Sequence, residues 1–216
     1  MTRHEADPGR VVPATVGGPA GALEALLRVP SSPAGAAVVA HPHPLHGGTM
    51  HTKVVHRTAR LLSSRFRLET LRFNFRGVGA SEGVHDDGRG EVLDLVAAGR
   101  FVRERKPDGA FVVGGFSFGS LCALGASAAL SPDVLLLIGV PLLRWDRSGV
   151  EALRGTPVVW VQGDEDEFGG GELARATAVR FGWELALVAG ADHFFTGRLD
   201  AFEAALAERL AGFLGG

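Results

Sequence analysis

Ser117 stands between two glycines in the run Gly115-Phe116-Ser117-Phe118-Gly119. That is the G-x-S-x-G pattern of a sharp strand-to-helix turn, which lifts a serine hydroxyl clear of a sheet edge. A Cβ at either flanking position would meet neighbouring backbone, so both are glycine. A serine hydroxyl is too weakly acidic to attack an ester unaided. It needs a base within hydrogen-bond reach, and the base needs an orienting carboxylate. Further along come four consecutive acids, Asp164, Glu165, Asp166 and Glu167, and then His193 between Asp192 and Phe194. With 31 glycines in 216 residues, a G-x-S-x-G pattern arises by accident often enough that its surroundings must carry it.

Those surroundings alternate between the two periodicities. Apolar or alternating runs at 11–16, 23–29, 36–40, 68–75, 110–113, 134–138, 157–161 and 184–188 predict strands. Helical spacing predicts helices over 51–64, 91–105, the stretch after Ser117, 171–181 and 199–214. Residues 139–156 show no regular element, and residues 1–10 read as a loose segment. Strands alternating with helices imply an α/β fold with a mainly parallel twisted sheet and helices on both faces. In such sheets, sites form at the carboxyl ends of the strands. Ser117, the acids 164–167 and His193 each follow a strand, in the order serine, acid, histidine. All three should therefore share one edge.

Composition narrows the rest. The length fits one domain, residues 1–216. A net charge of −2 and the lack of a basic tract argue against nucleic acid. The single cysteine, Cys122, excludes an internal disulfide and a thiolate zinc site, and is expected to pack rather than react. It suits a reducing compartment, and the first thirty residues lack the layout of a signal peptide, so the expected location is cytoplasmic. No stretch approaches the roughly 20 apolar residues of a membrane span. The spacing of His41, His43, His46, His51 and His56 invites a metal reading, but residues 41–56 contain no acid, and such sites normally add carboxylates. The expectation is no metal and no cofactor, with His41 and His46 fixing their loop by hydrogen bonds. Arg76 to Gly83 has glycines at 77, 79 and 83, which miss the G-x-G-x-x-G spacing of a dinucleotide loop. Arg76 and Ser81 are expected to be structural.

The segments HPHPLHGGTMHTKVV, FNFRGVGASEG, GGFSFG, VQGDEDEF and ADHFF together resemble the α/β-hydrolase superfamily over nearly the whole chain from about Val11. The likeness is to its small lidless serine hydrolases, grouped with dienelactone hydrolases and prolyl-oligopeptidase-like esterases. The resemblance implies the fold and a Ser-His-Asp triad, but no particular substrate. Ser117 would be the nucleophile and His193 the base. In the superfamily this strand commonly ends G-x-x-D, which from Gly163 selects Asp166, with Asp164 as the alternative. One oxyanion donor would be the backbone N–H of Phe118. The other would come from the loop after the 36–40 strand. There Pro42 and Pro44 have no N–H to give, which leaves His43, with Leu45 as a fallback.

Residues 139–156 leave no room for a substantial cap. An open cleft lined by Phe118, Leu142, Leu143, Trp145, Phe168 and Phe194 is expected. It would suit a small-molecule ester-like substrate, and no cationic cluster points to a phosphorylated one. A peptidase, amidase or thioesterase on the same triad, or a scaffold without catalysis, are the alternatives. The chain is expected to work as a monomer or homodimer.

Overall fold

The computed structural model of the protein describes residues 9–106, 108–145, 153 and 155–215. Most of the loose 1–10 segment lies outside these residues, and Arg10 already opens a strand. Eight strands follow: β1 (Arg10–Gly18), β2 (Gly21–Val29), β3 (Gly35–Ala40), β4 (Leu68–Phe73), β5 (Ala110–Phe116), β6 (Val134–Ile138), β7 (Val158–Gly163) and β8 (Glu184–Val188). Among the described residues five α-helices connect or close them: α1 (Lys53–Phe66), α2 (Arg89–Arg105), α3 (Phe118–Leu130), α4 (Gly171–Phe181) and α5 (Leu199–Leu214).

The sheet order is β1-β2-β4-β3-β5-β6-β7-β8. β1 and β2 form an antiparallel hairpin, and β2 also runs antiparallel to β4. The strands β3 to β8 are mutually parallel. Central β3, β6 and β7 are buried along their whole length, which is why they read as unbroken apolar runs. Edge strand β1 instead alternates towards exposed residues.

Two apolar layers cover the sheet. α2, α3 and α4 pack on one face with Leu71, Phe73, Phe111, Leu137 and Trp160. α1 and α5 pack on the other with Val39, Val112, Phe116, Ile138 and Val161. Helix α1 earns its place through Val54, Val55, Ala59, Leu62 and Phe66, one stripe at helical spacing. On its outer side Arg57 and Arg60 reach Asp200 and Glu203 of α5.

Boundaries differ from expectation in instructive places. β4 stops at Phe73 rather than at residue 75, because the N–H of Phe75 leaves the ladder and donates to His41 Nε2 at 3.0 Å. α1 starts at Lys53, since Met50 before it is held by the side chains of Arg72 in β4 and Asn74 just beyond it. β7 runs on to Gly163, two residues beyond the predicted end. Between β6 and β7 the chain makes a tight turn over residues 140–144, with Leu142 N–H bonded to Val140 O and Arg144 N–H to Pro141 O. Residues 146–152 and 154 of the stretch expected to be irregular lie outside the described set.

Candidate active site

Strand β5 lies between β3 and β6, so its carboxyl end is central to the sheet edge. There Ser117 sits at φ 56°, ψ −119°, the N-cap of α3. A non-glycine residue at positive φ stores about 1–3 kcal/mol and persists only where the surroundings over-determine it. They do so here. A Cβ at Gly115 would collide with the backbone of Gly119, and one at Gly119 would lie 2.6 Å from both Ala40 O and His41 O. The turn is thus wedged against the end of β3, and Ser117 remains partly accessible.

The structure brings the expected residues together. His193 Nε2 lies 2.9 Å from Ser117 Oγ, and His193 Nδ1 lies 2.7 Å from Asp166 Oδ2. His193 is 2% exposed and Asp166 5%. The imidazole sits among Phe116, Phe168 and Phe194, with ring centroids 5.1, 4.7 and 5.2 Å away. Gly139 faces it from the end of β6 at φ 54°, where a Cβ would lie 2.7 Å from Phe116 Cε2 and 3.4 Å from His193 Cε1.

Of the four acids, Asp166 is the buried one that meets the histidine. Its Oδ1 accepts from the Phe168 N–H at 2.8 Å, and its Oδ2 also accepts from Gln162 Nε2 at 2.8 Å. Asp164 faces the turn after β8, where Oδ1 accepts from Ala191 N–H at 3.3 Å. Glu165 and Glu167 are exposed.

Gln162 was not anticipated. It is fully buried, and every polar atom of its carboxamide is engaged. Oε1 accepts from Val140 N–H at 2.7 Å and from the Trp160 indole N–H at 2.8 Å, while Nε2 donates to Asp166 and to Val140 O at 3.2 Å. These bonds fix which way the amide points, and so where Asp166 Oδ2 is held. The signal was in the sequence: a glutamine at the end of the apolar run Val-Val-Trp-Val-Gln-Gly. A buried polar group there must be bonded to something.

The histidine loop is fastened at both ends. His41 is fully buried, with Nδ1 2.6 Å from Pro42 O and Nε2 accepting from Phe75 N–H. Those partners define a neutral imidazole carrying its proton on Nδ1. Burial pushes its pKa down to about 4, against the smaller opposing pull of the Pro42 carbonyl and Glu91. With both nitrogens used, His41 has no lone pair for a metal, and it fixes the loop as expected. At the far end Met50 N–H donates to Asn74 Oδ1 at 2.9 Å, and Arg72 Nη1 donates to Met50 O at 2.6 Å. Between them, Leu45 N–H donates to His43 Nδ1 at 3.2 Å, which removes the fallback oxyanion donor. Among the described residues neither the Phe118 N–H nor the His43 N–H has an acceptor. The two side chains touch, ring centroids 4.9 Å apart.

Arg76 and Ser81 are structural. Arg76 makes a two-pronged pair with buried Asp94 at 2.9 and 2.8 Å, and Ser81 Oγ donates to Asn74 O at 2.7 Å. Cys122 is buried in the layer beneath α3, which raises its thiol pKa well above the ordinary value.

Ser117 opens into a cleft of about 570 Å³, lined by His43, His46, Phe118, Leu121, Pro141, Arg144 and Phe168. Of the expected lining, Phe118 and Phe168 are there. Leu142 and Trp145 instead belong to the apolar layer, where Trp145 stacks on Trp183 at 5.9 Å. Leu143 and Phe194 are exposed, at 67% and 50%. The tight turn at Pro141 explains the exchange: it sends Leu142 and Trp145 inward and Arg144 to the cleft.

An imidazole so placed can take a proton from the alcohol at one nitrogen while a carboxylate steadies the other. Known proteins share the architecture. The family model for the alpha/beta hydrolase fold matches residues 45–138. A solved a/b serine hydrolase without lid from Xanthomonas campestris is 33% identical, with a TM-score of 0.86 and 97% of each chain covered. An alpha-beta serine hydrolase homologue from Coxiella burnetii is 35% identical, with a TM-score of 0.83, covering 93% of this chain and 97% of that one. An uncharacterized protein of Rickettsia prowazekii is 32% identical over 206 residues, 89% of this chain and 86% of its own. The chain belongs to the α/β-hydrolase superfamily.

Proposed function

We propose that the protein is a serine hydrolase that cleaves carboxylic esters of small or flexible acyl substrates. The observation that carries this reading is the chain of contacts Ser117 Oγ, His193, Asp166 at 2.9 and 2.7 Å on a strained strand-to-helix turn. His193 Nε2 takes the Ser117 proton as Oγ attacks the carbonyl carbon. The carbonyl oxygen becomes an oxyanion, received by the backbone N–H groups of Phe118 and His43. The positive end of α3, whose first residue is Phe118, favours the same charge. His193 then hands its proton to the departing alcohol and leaves an acyl-enzyme. A water deprotonated by His193 releases the acid and restores Ser117.

The Xanthomonas campestris hydrolase that this chain resembles is described as having no lid, which supports an open site that small substrates enter directly. Among the described residues no helix is long and apolar enough to cross a membrane, and a cytoplasmic setting fits the lone buried cysteine. The test is labelling by a fluorophosphonate, located by peptide mass, beside turnover of p-nitrophenyl esters. Wild type should label on Ser117 and hydrolyse the short acyl esters. Ser117→Ala should do neither while keeping the fold by circular dichroism. Folded wild-type protein that neither labels nor turns over would end the proposal.

A further inference from the structure

The cleft beside Ser117 is apolar on most of its wall, from Phe118, Leu121, Pro141 and Phe168. Arg144 breaks that pattern. It is exposed, lines the same cleft, and among the described residues its guanidinium has no ion pair or hydrogen bond. Arg76, by contrast, is locked onto Asp94. The backbone under Arg144 is fixed. Its N–H is bonded to Pro141 O at 2.8 Å, and the preceding Leu143 N–H to Phe168 O at 3.0 Å. Phe168 is itself bonded to Asp166. The turn that presents the guanidinium is therefore tied to the loop that carries the histidine's carboxylate.

Among the described residues no acid pairs with it. Asp166 is spent on His193, Gln162 and the Phe168 N–H, and Asp164 on Ala191. The remaining polar wall is His43 and His46, rings 4.7 Å apart. Burial, with His46 and His85 beside it, lowers the His43 pKa below the ordinary value, so at neutral pH this ring offers hydrogen bonds rather than charge. A guanidinium is always charged and presents a planar fork that matches a carboxylate with two parallel bonds. In a cleft with apolar walls an unpaired charge gains most from an opposite charge on the ligand.

We infer that Arg144 is a specificity-determining residue that binds a carboxylate on the substrate, so that the preferred ester carries an anionic group beyond the scissile bond. This rests on the hydrolase reading and deepens it. A single guanidinium fits a monoanion, and among the described residues lining the cleft no second cation backs it as a phosphate would ask. The carboxylate can sit in the acyl part or in the alcohol part, and two matched pairs of esters separate these. The first pair is mono-p-nitrophenyl glutarate and its methyl ester. The second is 4-butyryloxybenzoate and its methyl ester. Each is assayed on wild type, Arg144→Gln and Arg144→Lys, and Ser117 labelling by a fluorophosphonate serves as the check that the variants keep a competent site.

For one of the pairs, the ratio of kcat/KM for the acid to that for its methyl ester should fall about tenfold in Arg144→Gln and be partly kept in Arg144→Lys. The same ratio should shrink in wild type as salt is raised. The pair that responds tells which side of the ester the guanidinium faces. Ratios unchanged within twofold in both pairs, with turnover and labelling intact, overturn the role of Arg144 and leave the hydrolase reading standing. A wild type that hydrolyses none of the four esters and does not label overturns both.

Discussion

His41 lies behind the loop that carries His43, and its burial sets a measurable pH dependence of stability. Its pKa falls from 6.5 to about 4 in the folded chain. Unfolding returns it to water, where it titrates near its ordinary value. Between those two values the unfolded chain binds a proton that the folded chain does not, so stability is full above about pH 6.5 and is lost as pH falls. A shift of this size corresponds to roughly 3 kcal/mol, of which about 2 kcal/mol is already gone at pH 5. The assay is urea unfolding at a series of pH values between neutral and pH 4.5, on wild type and on His41→Asn. The variant will be less stable at neutral pH, because Phe75 N–H loses its acceptor and a buried unpaired donor costs about 1–3 kcal/mol. That offset is not the test. The other titrating groups, His56 among them, cancel when one curve is subtracted from the other. The difference should shrink by about 2 kcal/mol on going from pH 7 to pH 5. Parallel curves would mean that His41 takes up its proton at the same pH in the folded and the unfolded chain, and the assignment of its two hydrogen bonds would have to be withdrawn.

Two further outcomes follow from the carboxylate end of the site. Gln162→Leu leaves the Val140 N–H and the Trp160 indole unpaired and frees Asp166 Oδ2 from one of its restraints. It should lower kcat about tenfold, a part of the roughly 10²–10⁴-fold that a positioned base contributes, with KM nearly unchanged. A variant that raised KM alone would show that Gln162 shapes binding instead. Asp166→Asn should lower kcat/KM on the order of 10⁴-fold, because an amide no longer selects the tautomer that leaves Nε2 free. Asp164→Asn keeps an acceptor for Ala191 N–H and should change kcat/KM by less than about threefold, since it touches neither His193 nor Ser117. Equal losses in the two variants, measured with one p-nitrophenyl ester, would refute the assignment.

What was legible in the sequence is what has a short-range signature. The elbow glycines, the apolar runs of β3 to β7 and the stripe of α1 are local patterns, and they locate the sheet edge on which Ser117, Asp166 and His193 meet. The choice of Asp166 over Asp164 came through a family spacing, and its physical reason appears only in three dimensions: one side chain turns under His193, the other towards the turn after β8. The cleft wall was read wrongly at Leu142 and Trp145, because apolar residues near a site look alike whether they line it or support it. A tight turn at Pro141 decided the matter, and turn geometry at two or three residues is weakly encoded. Arg144 was passed over for the same reason. Gln162 was missed although its position in an apolar strand marks it, since a polar residue in such a place must find a partner.

The two candidate oxyanion donors come from segments far apart in sequence, and side chains do little to set their separation. Phe118 follows the β5 turn and His43 follows β3, and these strands are hydrogen-bonded neighbours with Ala40 opposite Gly115. Beyond that last pair, Gly119 packs directly on the carbonyls of Ala40 and His41. The loop then cannot drift, because His41 is bound to Phe75 on one side, and Met50 to Asn74 and Arg72 on the other. A geometry fixed by backbone pairing and by anchors outside the cleft needs no reorganisation when charge develops, which is the property that makes such donors effective. On the proposed reading, the end of β4 therefore contributes to catalysis without touching substrate, by holding one loop against one turn.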